Sequence, residues 1–182
     1  MKKALVVIDM QNDFIDGSLG TPEAQAIVPK VCEKIESWDG MVWYTQDTHR
    51  EDYLSTREGK HLPVVHCIKN TEGWKINGEV IRTSLRRPEM DELPVFQKGA
   101  FGSKMLAERV REIYEWDGLR FVELIGLCTD ICVLANAVTI KTFCPEIELS
   151  VDASCCAGVT PQSHKNALEA MKMLQIEIKN EE

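Results

Sequence analysis

Short runs of consecutive apolar residues alternate along the chain with longer stretches in which apolar positions return every three or four residues. The first pattern suits a strand covered on both faces, the second a helix with one buried side. Residues 4–8 read as a buried strand, and 41–45, 95–97, 121–127 and 147–151 repeat the type, with an edge strand at 176–178. Helical spacing covers about 22–38, with Pro22 placed in its first turn, then 104–114, 130–143 and 162–174. Residues 46 to about 78 show no clean period and are rich in histidine, glycine and charge, so they read as a long functional loop. This alternation predicts an α/β fold, a mainly parallel sheet with helices on both faces. No repeat or Pro/Gly/Ser-rich linker divides the chain, which is expected to form one domain over 1–182.

Charge narrows the class of partner. Lys and Arg total 21 against 29 Asp and Glu, a net charge of −8 with no basic block. Nucleic acid and anionic membranes are held by cationic side chains, so neither is an expected partner. The longest apolar run, 4–8, is far short of the roughly 20 residues that span a bilayer. Asp9 also cuts it below a signal-peptide core of about 7 residues. A soluble, cytoplasmic protein is expected. Its seven cysteines, an odd number, then read as reduced thiols.

In an open parallel sheet, chemistry gathers at the carboxyl ends of the strands. Asp9 ends the first strand and is either a turn cap or a general base. Lys98 ends the short strand and is either solvated or paired with Asp9. Cys132 falls in the first turn of the helix after the strand 121–127 and is either a buried structural cysteine or a nucleophile, since free amides and the helix dipole there would lower its pKa and face an oxyanion. Cys128 is the rival nucleophile, but it sits in the turn itself, so its amide rather than its sulfur is expected to take part. Carboxylate, ammonium and thiol on one rim together fit nucleophilic acyl transfer. The loop adds Asp47, His49, Glu58 and His66 as candidate ligands for zinc, iron or manganese. Three of the four histidines lie within 18 residues, which favours a metal over a solvated loop; His61 is read as surface.

The series Asp9-Met-Gln-Asn-Asp-Phe14, Asp47-Thr-His49, His66-Cys67, Lys98-Gly-Ala-Phe101 and Gly126-Leu-Cys128-Thr-Asp-Ile-Cys132 resembles the isochorismatase-like cysteine hydrolases, their nicotinamidase branch best, over about residues 3–160. The resemblance implies a three-layer α/β/α fold of Rossmann-like order, assembled into homo-oligomers. It implies Cys132 as nucleophile, Asp9 as its base, Lys98 as partner of Asp9, and the Cys128 and Cys132 amides as oxyanion hole, with a cis Leu127–Cys128 peptide. Asp47, His49 and His66 would hold a divalent metal, zinc first, with Glu58 where relatives place a carboxylate or a histidine. Phe14 would stack on a pyridine ring. The stacking residue usually found before the last metal histidine is missing from 61–65, and Phe101 or Trp74 is the expected substitute. The implied substrate is a small carboxamide, nicotinamide first, giving nicotinate for NAD salvage. Alternatives are a carbamoyl or ureido amidohydrolase, an isochorismatase, or a catalytically idle ligand-binding protein. Cys155-Cys156 as a redox pair is the weakest of the readings.

Overall fold

The computed structural model describes residues 1–88 and 92–181. Its strands are β1 (Lys2–Ile8), β2 (Met41–Asp47), β3 (Val95–Lys98), β4 (Leu119–Leu127), β5 (Glu148–Ala157) and β6 (Glu177–Lys179). They form one parallel sheet in the order β3-β2-β1-β4-β5-β6. The chain winds outward from β1 to β3, then returns to β4 on the other side of β1. That reversal opens a crevice between β1 and β4 at their carboxyl ends.

The helices are α1 (Asn12–Ile15), α2 (Pro22–Ser37), α3 (Arg57–His61), α4 (Gly78–Ser84), α5 (Lys104–Trp116), α6 (Leu134–Phe143) and α7 (Pro161–Met173). Alternation along β1 divides the core. Ala4, Val6 and Ile8 pack with α5, α6 and α7 on one face, Leu5 and Val7 with α1, α2 and α4 on the other. Both faces are covered, which is why the strand reads as an unbroken apolar run. Thr21, Ser103 and Thr160 cap α2, α5 and α7, each accepting a backbone N–H one turn ahead.

The predicted strands and long helices are present, with shifted ends. β5 runs on to Ala157, and β6 lies one residue beyond its expected place. The segment 46–78 is not a bare loop: it holds a 3₁₀ turn at Tyr53–Ser55, α3 and the start of α4. These pieces are shorter than the period needed to reveal them. The expected helix from Asp130 begins instead as a π turn, Thr129–Val133, in which the Cys128 carbonyl accepts the Val133 amide at 3.0 Å. Among the described residues no helix is long and apolar enough to cross a membrane.

Candidate active site and metal cluster

Asp9 follows the last residue of β1 at φ 44°, in the left-handed region that costs a non-glycine residue of order 1–3 kcal/mol. Thr45 on β2 offsets that cost. Its hydroxyl donates to Asp9 Oδ1 at 2.6 Å and accepts the Asp9 amide at 3.2 Å. Lys98 ends β3, two strands from β1, so its side chain must cross roughly 10 Å of sheet. Only a long, flexible cationic stem does this, and its Nζ lies 2.6 Å from Asp9 Oδ2. The same Nζ is 3.4 Å from Cys132 Sγ. The three residues separated along the chain thus meet at the β1/β4 crevice, all buried.

Burial pushes Asp9 above the ordinary carboxylate range against the pull of Lys98, and the charge of Asp47 adds to the rise. Burial alone would discharge Lys98, but Asp9, Cys132 and Asp47 hold it above the usual lysine value. Burial also pushes the Cys132 thiol well up, with Asp9 adding to the effect. The expectation of a depressed thiol therefore fails for the resting site: helix-start amides do not outweigh desolvation beside a carboxylate. The Cys132 thiol sits against the close Lys98–Asp9 pair. Moving its proton to Asp9 leaves the net charge of the three groups unchanged, so the low-dielectric surroundings oppose that transfer far less than loss of the proton to solvent.

The Cys128 thiol is also pushed up, to about 12, by burial, and the peptide before it is cis. Asn136 fastens this turn from below. It donates to the Cys132 carbonyl at 2.8 Å and the Phe101 carbonyl at 3.1 Å, and accepts the Ser103 amide at 2.9 Å.

Asp47, His49, Glu58 and His66 form one cluster, with one ligand atom from each lying within 4.8 Å of the others. Asp47 is the register partner of Lys98 across β2 and β3, and its Oδ1 lies 3.6 Å from Lys98 Nζ. One ammonium thus serves both halves of the site. Burial works to raise Asp47, but His49 and the Lys98 charge outweigh it and hold the carboxylate below its ordinary range. The donor set fits a divalent cation on two observations. His49 Nε2 is buried without an aligned hydrogen bond, although Asp47 Oδ2 is 3.0 Å away. His66 Nδ1 lies 2.8 Å from the Val64 carbonyl, which can only accept, so Nε2 is the free nitrogen, 3.8 Å from Asp47 Oδ2 and 3.9 Å from Glu58 Oε1. His61 is exposed on α3, as expected.

A cavity of about 320 Å³ opens beside Cys132, lined by Phe14, Leu19, Leu62, Phe101, Ile131 and Val159, with Asp47, Glu58 and His66 also reaching it. That suits a small, flat, largely apolar ligand. Phe101 lines it, half exposed. Trp74 does not substitute for the missing aromatic: its indole N–H donates to the Thr48 hydroxyl at 2.9 Å, and its ring packs against the α2 side of the core.

Sequence reasoning assigned no role to Asn136, nor to four other supporting residues. Gln11 accepts the Asp47 amide at 2.7 Å and donates to the Asp47 and Trp74 carbonyls. Asp13 accepts the Cys67 amide at 2.7 Å, holding the segment that carries His66. The Tyr53 ring lies 4.7 Å from His49 and 4.9 Å from His66, and Thr45 holds Asp9. Gln11 and Asp13 share the Asp9–Phe14 segment already noted, so position was available as a signal for them; for Tyr53 there was none.

A family model described as the isochorismatase domain matches residues 3–180. The chain is 34% identical over 148 residues to a Bacillus subtilis protein named "Uncharacterized isochorismatase family protein PncA", covering 76% of this chain and 78% of that one. It is 26% identical over 192 residues to the nicotinamidase/pyrazinamidase of Mycobacterium tuberculosis, covering 97% of each. It superposes with a TM-score of 0.80 on the crystal structure of the Pyrococcus horikoshii pyrazinamidase in complex with zinc, at 28% identity over 98% of both chains. Since the matched span takes in every residue of the site from Asp9 to Cys132, the chain belongs to the isochorismatase family.

Proposed function

We propose that this protein is a cysteine amidohydrolase that converts nicotinamide to nicotinate and ammonia. The observation that carries the reading is the position of Lys98 Nζ, 2.6 Å from Asp9 and 3.4 Å from the Cys132 sulfur, at the wall of a ring-sized cavity. The relatives named nicotinamidase or pyrazinamidase support the choice of substrate. Asp9 takes the thiol proton, and the raised affinity of its carboxylate for a proton suits it to that task. The Cys132 sulfur attacks the carboxamide carbon, and the carbonyl electron pair moves to oxygen, facing the amides of Cys128 and Cys132. Collapse breaks the C–N bond, Asp9 returns its proton to the nitrogen, and ammonia leaves a Cys132 thioester. A water then gives a proton to Asp9 and attacks the thioester carbon. The C–S bond breaks, the sulfur recovers the proton from Asp9, and the acid departs. Lys98 stays charged throughout and orients Asp9 while stabilising the sulfur anion.

Asp47, His49, Glu58 and His66 would hold a divalent ion, zinc by the precedent of the Pyrococcus enzyme, and bound there it supplies a Lewis acid for a ring nitrogen or a water molecule. Phe14 and Phe101 would bracket the ring. We assign the protein to the cytoplasm, where its seven free thiols remain reduced, and to a homo-oligomer.

An ammonia-release screen over nicotinamide, pyrazinamide, carbamoyl amino acids and ureido compounds tests the substrate, with nicotinamide expected to lead. Cys132→Ala should abolish release while leaving the fold intact; retained activity would end the proposal. Chelation followed by metal analysis tests the ion separately, and a fully active metal-free enzyme would refute its role.

A further inference from the structure

The turn that carries Cys132 is capped by Cys128 without a side-chain hydrogen bond to hold it. It is anchored from outside instead. Thr129 is fully buried, and its hydroxyl oxygen lies 2.7 Å from Nδ1 of His164, in the first turn of α7. Asp130 accepts the Val159 amide on its two carboxylate oxygens at 3.1 and 3.2 Å. Gly158 lies beside both anchors. A Cβ there would stand 2.8 Å from the His164 amide nitrogen, so the end of β5 is pressed directly onto α7. Gly158 and Val159 also line the cavity. One short connection therefore supports both the cavity wall and the turn.

The chemistry above makes no use of His164. Either neutral tautomer can bond the Thr129 hydroxyl, with Nδ1 accepting its proton or donating to its oxygen. Oxyanion donors act only when aimed within about 2.7–3.1 Å of where the charge develops, and a misplacement of about 1 Å can cost about a hundredfold in rate. A π turn without a side-chain cap is a poor guarantor of such aim on its own. We infer that His164 is a positioning residue for the oxyanion site, fixing through Thr129 the orientation of the Cys128–Cys132 turn. This inference rests on the amidase reading and adds to it a residue some thirty positions beyond the nucleophile.

The test compares His164→Ala, His164→Asn and Thr129→Val in steady-state kinetics, with the affinity for pyridine-3-carbaldehyde and for nicotinate measured alongside. The aldehyde adds the Cys132 sulfur to its carbonyl carbon, and the oxygen of that tetrahedral adduct occupies the oxyanion site; nicotinate is planar and does not need it. His164→Ala should lower kcat about tenfold or more and weaken the aldehyde by a similar factor, with KM and nicotinate affinity within twofold. Asn places a polar atom where Nδ1 stood and should restore most of the loss. Thr129→Val should match His164→Ala, and the double variant should lose no more than either alone. The inference is overturned if His164→Ala keeps kcat and aldehyde affinity within twofold. It is equally overturned if nicotinate affinity falls in step with kcat and Asn restores nothing, the mark of a merely structural contact. Should the unmodified protein release no ammonia from nicotinamide, the amidase reading fails by itself, and the aldehyde affinities still decide the role of His164.

Discussion

Asp9 is held by two opposing influences, and their balance sets when it can act. Burial raises its pKa, while Lys98 and the Thr45 hydroxyl lower it again. In the proposed role of base Asp9 must be ionised before it can take a proton, so activity should rise with pH through its raised value, above the ordinary carboxylate value of 3.8. Thr45→Val deletes a bond that favours the charged form. It should move this acid limb to higher pH and lower kcat about tenfold with KM little changed, read from pH profiles of kcat. An acid limb that stays in place would show that Thr45 does not tune the base. Gln11 plays the corresponding part for the cation cluster, since three of its hydrogen bonds fix the backbone around Asp47 and Trp74. Gln11→Leu should weaken metal binding by about 10–100-fold in a chelator competition, with the ligand side chains all still present. Asp9, Lys98 and Cys132 were legible in the sequence because each follows a recognisable strand. Thr45 and Asn136 were not, because a single hydroxyl or amide within a regular element carries no pattern.

At the scale of elements, the crevice depends on how closely β1 and β4 approach. Gly126 lies at φ 113°, and a Cβ there would stand 2.2 Å from the Ile8 carbonyl oxygen, one residue before Asp9. Gly126→Ala combines a disfavoured backbone with a clash against main chain that cannot rotate away. A loss of at least about 2 kcal/mol in denaturant unfolding is expected, with activity falling further than stability because Asp9 is displaced. On the other side of β4, between Leu124 and Gly126, β4 and β5 fall out of step: Leu124 pairs with Val151, but Gly126 pairs with Cys156. Asp152 sits in that irregularity, bonded to Ser154 and Asn180 and paired with Lys34. Sequence periodicity ended β5 at residue 151 because the polar residues that follow break the apolar run, although pairing continues to Ala157. The short helices within 46–78 were hidden for a related reason. Thr56 caps α3 while the 3₁₀ turn has no side-chain cap at its start, and neither is long enough to show an apolar face of its own.

Across the whole molecule, the layer order and the parallel sheet follow from the alternation of apolar runs and helical spacing. The sharing of Lys98 by two clusters appears only when β3 is set beside β2 in register. Buried charge also sets the acid limit of the fold. Lys34 and Lys179 pair with Glu123, and Lys34 also with Asp152, and despite burial both carboxylates are held below their ordinary values. A carboxylate whose folded pKa is depressed contributes stability that is complete above its unfolded value and lost as pH falls through the folded one. Stability should therefore hold from neutrality down to the ordinary values of 4.5 and 3.8 and then decline. Glu123→Gln should flatten that decline in thermal melts while lowering stability at pH 7; an unchanged acid slope would remove the cluster from this role. The central claim is that Cys132 forms a covalent acyl intermediate with the base and cation beside it. Rapid acid quench of the protein turning over nicotinamide, followed by peptide mass spectrometry, tests it directly. A nicotinoyl group on the peptide containing residue 132, absent from Cys132→Ala, is the predicted result; ammonia released at an undiminished rate by Cys132→Ala, or an acyl group found only on another residue, would contradict it.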